Sequence, residues 1–397
     1  MNDVILIMNA GSSSIKFAIY AHDEMQNSFQ RLYKGKVTDI ATQAHFYTTG
    51  TSESSIGVDQ SVSADNHSEA LQIILNWVAQ KATELRIIAI GHRVVHGGHH
   101  FIKPVRIDHN VLTELKALIP LAPLHQPHAL QAIEVLLRQY PHTPHVACFD
   151  TAFHTSMPAH EKRLPLPQSL SDKGIQRYGF HGLSYEYITH ILPDYITAAA
   201  SANVVIAHLG HGVSMCAVKN RQSIATTMSF TPLDGLPMGT RCGSIDPAIV
   251  LYLLAQGMTT EEVSDLLHHQ SGLLGLSGIS HDMQILLKST ETNAASGVDI
   301  FCYRVSRELG SLAMALGGLD VLVFTGGIGE HAAAVRANIC RTAAWLGIDI
   351  DVDVNQANAL QISSASSRVS VLVIPTNEEQ MIVQHTANLM ASLSQTT

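Results

Sequence analysis

Asn9, Gly11, Ser12, Ser13, Ser14 and Lys16 crowd one short stretch, V-I-L-I-M-N-A-G-S-S-S-I-K-F (residues 4–17). A glycine turn presents backbone N–H groups, three hydroxyls add donors, and an ammonium follows. That set suits phosphate oxygens, and the Asn9 carboxamide is a hard oxygen ligand suited to Mg²⁺, directly or through water. The same residue types also build ordinary hairpin turns, so this stretch alone leaves both readings open. A second version lies about two hundred residues on, in N-V-V-I-A-H-L-G-H-G-V-S-M-C-A-V-K-N (203–220), with His208, Gly210, Gly212 and Ser214 at its turn. Two copies of a strand–turn–strand cradle predict a duplicated domain with a phosphate site in the cleft between the copies. A third glycine element, D-V-L-V-F-T-G-G-I-G-E-H (320–331), lets a ring or phosphate approach the backbone closely. Its spacing is neither the dinucleotide G-x-G-x-x-G nor a Walker A loop, since no G-K-[ST] follows.

The elements that must position these turns follow from periodicity. Val4–Met8 and Ile15–Tyr20 read as strands of one hairpin, and Ser28–Val62 as further strands and turns. Leu71, Ile74, Leu75 and Val78 recur at helical spacing, predicting a helix over 67–81. Arg86–Ile90 is a strand ending in G-H-R-V-V-H-G-G. Val111–Leu118 and Ala129–Gln139 are helices, and Pro120, Pro123 and Pro127 predict an extended, rigid loop between them. Val146–Phe149 is a strand with Asp150 at its carboxyl end, where α/β sheets place ligands. Val204–Ala207, Met215–Val218 and Val321–Phe324 are strands, and Ala332–Trp345 is a helix after the Gly-Gly-Ile-Gly turn.

Composition bounds the function. A chain of 397 residues implies two domains or three, and hydrophobic residues at 46% against charged ones at 14% imply large cores and a buried subunit interface. A net charge of −9 argues against nucleic acid. The N-terminus shows no basic leader, and Leu309–Phe324, the most apolar later stretch, is broken by Gly317, Gly318 and Asp320, so no membrane span is expected. Five scattered cysteines without a C-x-x-C pair read as reduced thiols of a cytoplasmic protein. The 23 histidines include no H-E-x-x-H, and the pairs His99-His100 and His268-His269 lack partners at ligand spacing, so they read as scattered side chains.

Ten motifs in chain order now carry a resemblance: N-A-G-S-S-S-I-K-F, G-H-R-V-V-H-G-G, A-P-L-H, F-D-T-A-F-H, R-Y-G-F-H-G, H-L-G-x-G, D-G-L-x-M-G-T-R, S-G-L-L-G-L-S-G, F-T-G-G-I-G-E and I-P-T-N-E-E. Together they resemble the acetate kinase family from Asn9 to Glu379, and with it the superfamily of acetate and sugar kinases, heat-shock chaperone ATPases and actin. The resemblance implies two duplicated ribonuclease-H-like (actin-like ATPase) α/β domains with an interdomain active-site cleft, 1–148 joined by the C-terminal helix 378–397, and 149–377 carrying the nucleotide-binding elements. It implies reversible transfer from ATP to acetate, giving acetyl phosphate and ADP, with Mg²⁺ or alternatively Mn²⁺, in a homodimer. A sibling kinase for propionate or another short acid, an actin- or chaperone-like ATPase, and a catalytically weakened relative are the alternatives.

By the same resemblance Arg93 holds the substrate carboxylate, while Arg241 and His181 grip the migrating phosphoryl group. Asn9 and Glu378 place the metal, Asp150 orients the metal shell or the acid, and Lys16 assists near the phosphates. His208, Leu209, Gly210, His211 and Gly212 cover the phosphates. Asp282, Met283 and Gln284, with Gly327, Ile328, Gly329, Glu330 and His331, hold adenosine. Val95, Leu124, Phe180 and Pro232 match the apolar wall around the acetate methyl, and a branched valine there favours acetate over propionate. For His125, structural and catalytic readings stay open. Departures from the family pattern fall at His211, His331, Gln126, Cys242, Ser244 and Gln284, most of them expected on the nucleotide side, so a changed choice of phosphoryl donor is the expected consequence.

Overall fold

The computed structural model describes residues 2–11, 14–23, 28–51, 57–81, 84–197 and 199–394. Ser12 and Ser13 of the first turn, residues 52–56 of the expected Ser28–Val62 strand region, and residues 395–397 of the expected C-terminal helix lie outside them. The chain divides into two units, residues 1–152 with 377–397, and residues 153–376. That places the division four residues beyond the expected 148/149 boundary, and Asp150 stays with the strand that carries it.

The first unit is built on an eight-stranded sheet of β1 (Asn2–Ala10), β2 (Ile15–Asp23), β3 (Ser28–Thr38), β4 (His45–Gly50), β5 (Val58–Ser61), β6 (Leu85–Val94), β7 (Val105–Arg106) and β8 (His145–Phe149). Their spatial order is β5-β4-β3-β2-β1-β6-β8-β7. Every residue from Val4 to Ala10 is buried, as a strand covered on both faces requires. Leu6 and Met8 join a core with Leu71, Ile74, Leu75 and Val78 of the helix His67–Gln80, which Asn66 caps by accepting from Glu69 N at 3.0 Å. The C-terminal helix, Glu378–Ser394, lies over Gly91 of β6: a Cβ there would stand 2.5 Å from Thr386 Oγ1 and 2.7 Å from Ile382 Cγ2. Glycine is what lets that helix reach the sheet.

The prolines act differently from the expected extended loop. Pro120 lies in a 3₁₀ turn, Ile119–Leu121, and Pro127 stands in the first turn of the helix Gln126–Gln139. A first-turn proline gives up an N–H that has no helical acceptor, so it starts the helix rather than preventing it.

In the second unit, β9 (Val204–Leu209), β10 (Val213–Lys219), β11 (Gln222–Thr226), β12 (Val321–Thr325) and β13 (Ser370–Val373) run in the order β11-β10-β9-β12-β13. Three antiparallel strands followed by two parallel ones reproduce β3-β2-β1-β6-β8 of the first unit. The duplication expected from the two hairpins therefore extends to five strands, the whole second sheet and the matching part of the first. The Gly-Gly-Ile-Gly segment differs from expectation: Gly326–His331 is itself helical, and the chain breaks at Ala332 before the helix Ala333–Thr342.

Burial of imidazoles makes this fold acid-sensitive. His92 Nε2–H donates to His145 Nδ1 at 2.9 Å, and His145 Nε2–H donates to the Tyr140 carbonyl at 3.3 Å. Burial pushes both rings below the usual imidazole range, and it takes His96 and His154 down to about 4. The unfolded chain takes up these protons near pH 6.5 and the folded chain does not, so stability present above pH 6.5 is lost as pH falls toward 4. Each unit of depression is worth about 1.4 kcal/mol. Urea midpoints should drop steeply between pH 7 and pH 5; midpoints that stay level across that interval would contradict the neutral, buried state of these rings.

Candidate functional site

β6 lies between β1 and β8 and parallel to both, so the ends of three strands bring Asn9, Arg93 and Asp150 to one edge of the sheet. Arg93 Nε and Nη2 donate to Asp150 Oδ1 and Oδ2 at 3.0 and 2.5 Å, and Nη1 donates to Asn9 Oδ1 at 3.2 Å. Glu378, the first residue of the C-terminal helix, approaches Arg93 Nε at 3.9 Å. Burial works against the guanidinium charge, but the carboxylates of Asp150 and Glu378 outweigh it and raise the Arg93 pKa above its ordinary value. Asp150 is only 1% exposed, so this is a desolvated, fork-to-fork ion pair. Lys16 is paired directly across the hairpin from Asn9, with its side chain exposed.

Among the described residues, no three His, Cys, Asp or Glu side chains are arranged to hold a metal. Asn9, Asp150 and Glu378 nevertheless form a set of hard oxygen donors around Arg93. Mg²⁺ keeps several waters and takes one or two carboxylates, so this donor set fits it.

Val95 follows β6 and is buried, and Leu124 is half-buried ahead of the helix Gln126–Gln139. His125 occupies the N-cap position of that helix without a side-chain capping bond. Gln126 is fully buried: its amide donates to His96 O at 3.0 Å and its carbonyl accepts from His96 N at 3.2 Å. It pins the segment that follows Arg93, in the first unit.

The second unit gathers the other group. His181 opens the helix Gly182–Ile191 in the left-handed region (φ 57°), a conformation that costs a non-glycine residue about 1–3 kcal/mol. His154 Nε2–H donates to the Phe180 carbonyl at 2.9 Å and so braces the residue before it. The His181 ring stacks on His208 with centroids 4.3 Å apart. Arg241 Nη1 donates to Pro232 O at 2.7 Å, and its other terminal nitrogen points at the turn of Gly212. A Cβ on Gly212 would lie 2.9 Å from His181 Nε2 and 3.0 Å from Arg241 Nη2. Two donors thus converge on one glycine of the second cradle.

Gly212→Ala should therefore push both donors aside. We expect kcat to fall about 10²-fold, because misplacing catalytic groups by an ångström costs on that order. Thermal stability should change little, since the displaced atoms are the tips of side chains. A variant with unimpaired kcat would show that neither group works from this position.

Beside the turn lies a cavity of about 410 Å³, lined by Gly210, His211, Asp282, Met283, Gln284, Gly327, Ile328 and His331 of the expected nucleotide set, with His281, Leu287 and Ala332 besides. His208, Leu209, Gly212, Gly329 and Glu330 are not part of that lining. The Glu330 carboxylate instead accepts from Gly326 N at 2.9 Å and Thr376 N at 3.3 Å. Burial, then Arg241 and His281, lower the His211 pKa, so the imidazole in the cavity wall is neutral at pH 7. Of the six departures from the family pattern, only His211, Gln284 and His331 line this cavity. Gln126 lies in the first unit, and Ser244 donates to Asp234 Oδ1 at 2.7 Å across the loop that carries Arg241.

Arg336 escaped the sequence reading. It is fully buried and donates to the carbonyls of Gly329 and Glu330 at 2.8 and 3.0 Å, and to Asn355 and Asn358. A cation at the C-terminal end of the helix Gly326–His331 suits the helix dipole and fixes the wall of the cavity. Its signal was an arginine on the same stripe as Val335, Ile339 and Cys340. Ser214, expected at the turn, lies instead within β10 behind His181, and Tyr185 was missed, for a buried hydroxyl on an apolar element looks like core.

The Acetokinase family model matches residues 4–384. An acetate kinase of Rhodopseudomonas palustris is 49% identical over 389 residues, covering 97% of this chain and 98% of that protein. One from Methylocella silvestris is 43% identical, with coverages of 99% and 100%. Among solved structures, a propionate kinase from Francisella tularensis matches with TM-score 0.89 and 39% identity, over 97% of this chain and 99% of that one. The acetate kinase of Porphyromonas gingivalis matches with TM-score 0.85 and 33% identity, over 98% and 100%.

Proposed function

This chain belongs to the acetokinase family, and from that premise we propose how its residues carry out phosphoryl transfer between ATP and acetate. It is a phosphotransferase with a carboxylate acceptor. The observation that carries the residue assignment is the convergence of His181 Nε2 and Arg241 Nη2 on Gly212.

A carboxylate acceptor is already ionised at neutral pH, so the reaction needs no general base. Asp150 accordingly serves as the counter-ion that orients Arg93, and Arg93 holds the acid. The barrier lies in bringing two anions together and in charge that spreads over the transferred phosphoryl oxygens. His181 and Arg241 donate to those oxygens, and fixed donors of this kind are each worth about 3–4 kcal/mol. Asn9, Asp150 and Glu378 would hold Mg²⁺, or Mn²⁺ in its place, and the bound ion would neutralise phosphate charge. Lys16 would add a cation near the phosphates. The 410 Å³ cavity takes the nucleoside, with His211, Gln284 and His331 setting the preference among donors.

Val95 and Leu124 are the first unit's apolar surface we assign to the methyl of acetate. Trapping the acyl phosphate with hydroxylamine tests the reading: with ATP and Mg²⁺, acetate should give hydroxamate with kcat/KM about tenfold above propionate. ATP turnover without hydroxamate would end the carboxylate-kinase reading. Propionate outrunning acetate would end the assignment of the wall.

The helix Pro247–Ala255, P-A-I-V-L-Y-L-L-A, supports a homodimer. None of its residues is buried, with Leu251 68% and Tyr252 63% exposed. An apolar helix left open to water needs a cover, and a second copy of the chain is the one we propose. Leu251→Glu with Tyr252→Glu should shift the sedimentation coefficient from dimer to monomer. A wild-type chain that sediments as a monomer at micromolar concentration would remove the proposal. The five cysteines are free thiols, which supports a reducing, cytoplasmic setting. Among the described residues no helix is long and apolar enough to cross a membrane.

A further inference from the structure

We propose that Tyr185 and Ser214 are positioning residues that hold His181 as its neutral Nε2–H tautomer. The proposal rests on the phosphoryl-gripping role given to His181 above. Ser214 is fully buried on β10, on the face toward the helix that His181 opens, and its Oγ lies 2.8 Å from His181 Nδ1. Tyr185, one turn into that helix and also fully buried, makes a short contact with the same Oγ. Burial holds the Tyr185 phenol well above its ordinary pKa, so it keeps its proton.

The protons can then be assigned by counting acceptors. Among the described residues the Tyr185 hydroxyl reaches one partner, Ser214 Oγ, so it donates there. Ser214 has accepted that proton's bond and spends its own hydrogen on His181 Nδ1. Nδ1 is therefore an acceptor, and the ring proton sits on Nε2. The opposite tautomer would direct Nδ1–H at Ser214 and leave either the serine or the tyrosine proton buried without an acceptor, a condition native interiors avoid.

The consequence lies at the phosphate turn, because Nε2 is the atom that faces Gly212 beside Arg241 Nη2. An N–H there donates to a phosphoryl oxygen, whereas a lone pair would repel it. Tyr185 and Ser214 thereby act on the transferred group through His181, without touching it.

Imidazole ¹⁵N correlation spectra read the tautomer directly, with His181→Gln identifying the His181 signals. The wild type should show the Nε2–H pattern. Ser214→Ala removes the donor to Nδ1, so the two tautomers should mix, whereas Tyr185→Phe alone leaves the serine proton no acceptor but Nδ1 and should keep the Nε2–H pattern. The kcat of Ser214→Ala for acetyl phosphate should fall about tenfold, a fraction of the loss expected on removing the donor, with KM for acetate unchanged within about twofold. The double variant Ser214→Ala/Tyr185→Phe leaves no stranded hydroxyl; it should remain folded and still lose kcat. A wild-type Nδ1–H pattern would overturn the proposal, as would a Ser214→Ala variant with unchanged spectrum and kcat. A wild type that shows Nε2–H yet makes no acyl phosphate upholds the tautomer lock and overturns the kinase reading instead.

Discussion

Asp150→Ala should lose acyl phosphate formation by about three orders of magnitude and destabilise the first unit by about 3–5 kcal/mol. Both effects come from one ion pair. Asp150 holds two nitrogens of Arg93, and the Arg93 side chain is only 18% exposed. Without the carboxylate the guanidinium keeps Asn9 at 3.2 Å and Glu378 at 3.9 Å, too little to offset its burial. The double variant Arg93→Ala/Asp150→Ala separates the two effects. Removing the orphaned cation should recover part of the stability measured by urea, and the double variant should stay inactive. If Asp150→Ala kept a tenth of wild-type kcat/KM, the pair would be structural only.

Arg241 is the other residue whose loss should be severe. Its guanidinium is tied on one side to Pro232 O at 2.7 Å, and the opposite nitrogen faces the phosphate turn. Arg241→Ala should lower kcat about 10³-fold and leave KM for acetate nearly unchanged, the pattern of an interaction made in the transition state. Arg241→Lys should recover only part of this. An ammonium is a point charge and cannot hold the carbonyl and reach the phosphoryl group at once. A rise in KM with kcat intact would move Arg241 from transition-state stabilisation to ground-state binding.

What could be read from the residues, and what could not, divides along physical lines. Strand–turn–strand patterns are local, so both hairpins and the amphipathic helix from His67 were legible from spacing alone. Asn9, Arg93 and Asp150 sit at strand ends, where side chains are polar against an apolar run and stand out. The prolines misled because Pro127 forbids a helix interior and permits a helix start, and sequence spacing does not separate the two. Arg336 and Tyr185 went unread, and Gln126 and Ser214 were read without their partners, for a shared reason. Each is a buried polar group whose partners lie on another element, so its role exists only after packing.

The route of the chain through its two units has a consequence for biosynthesis. The segment before residue 152 leaves the first sheet without the helix Glu378–Ser394, which lies over Gly91 and packs against β1 and β6. The entire second unit is made before that cover exists. A nascent chain therefore emerges with an apolar sheet face uncovered until the helix Glu378–Ser394 has followed the whole second unit, which leaves it open to chaperones and to aggregation in that interval.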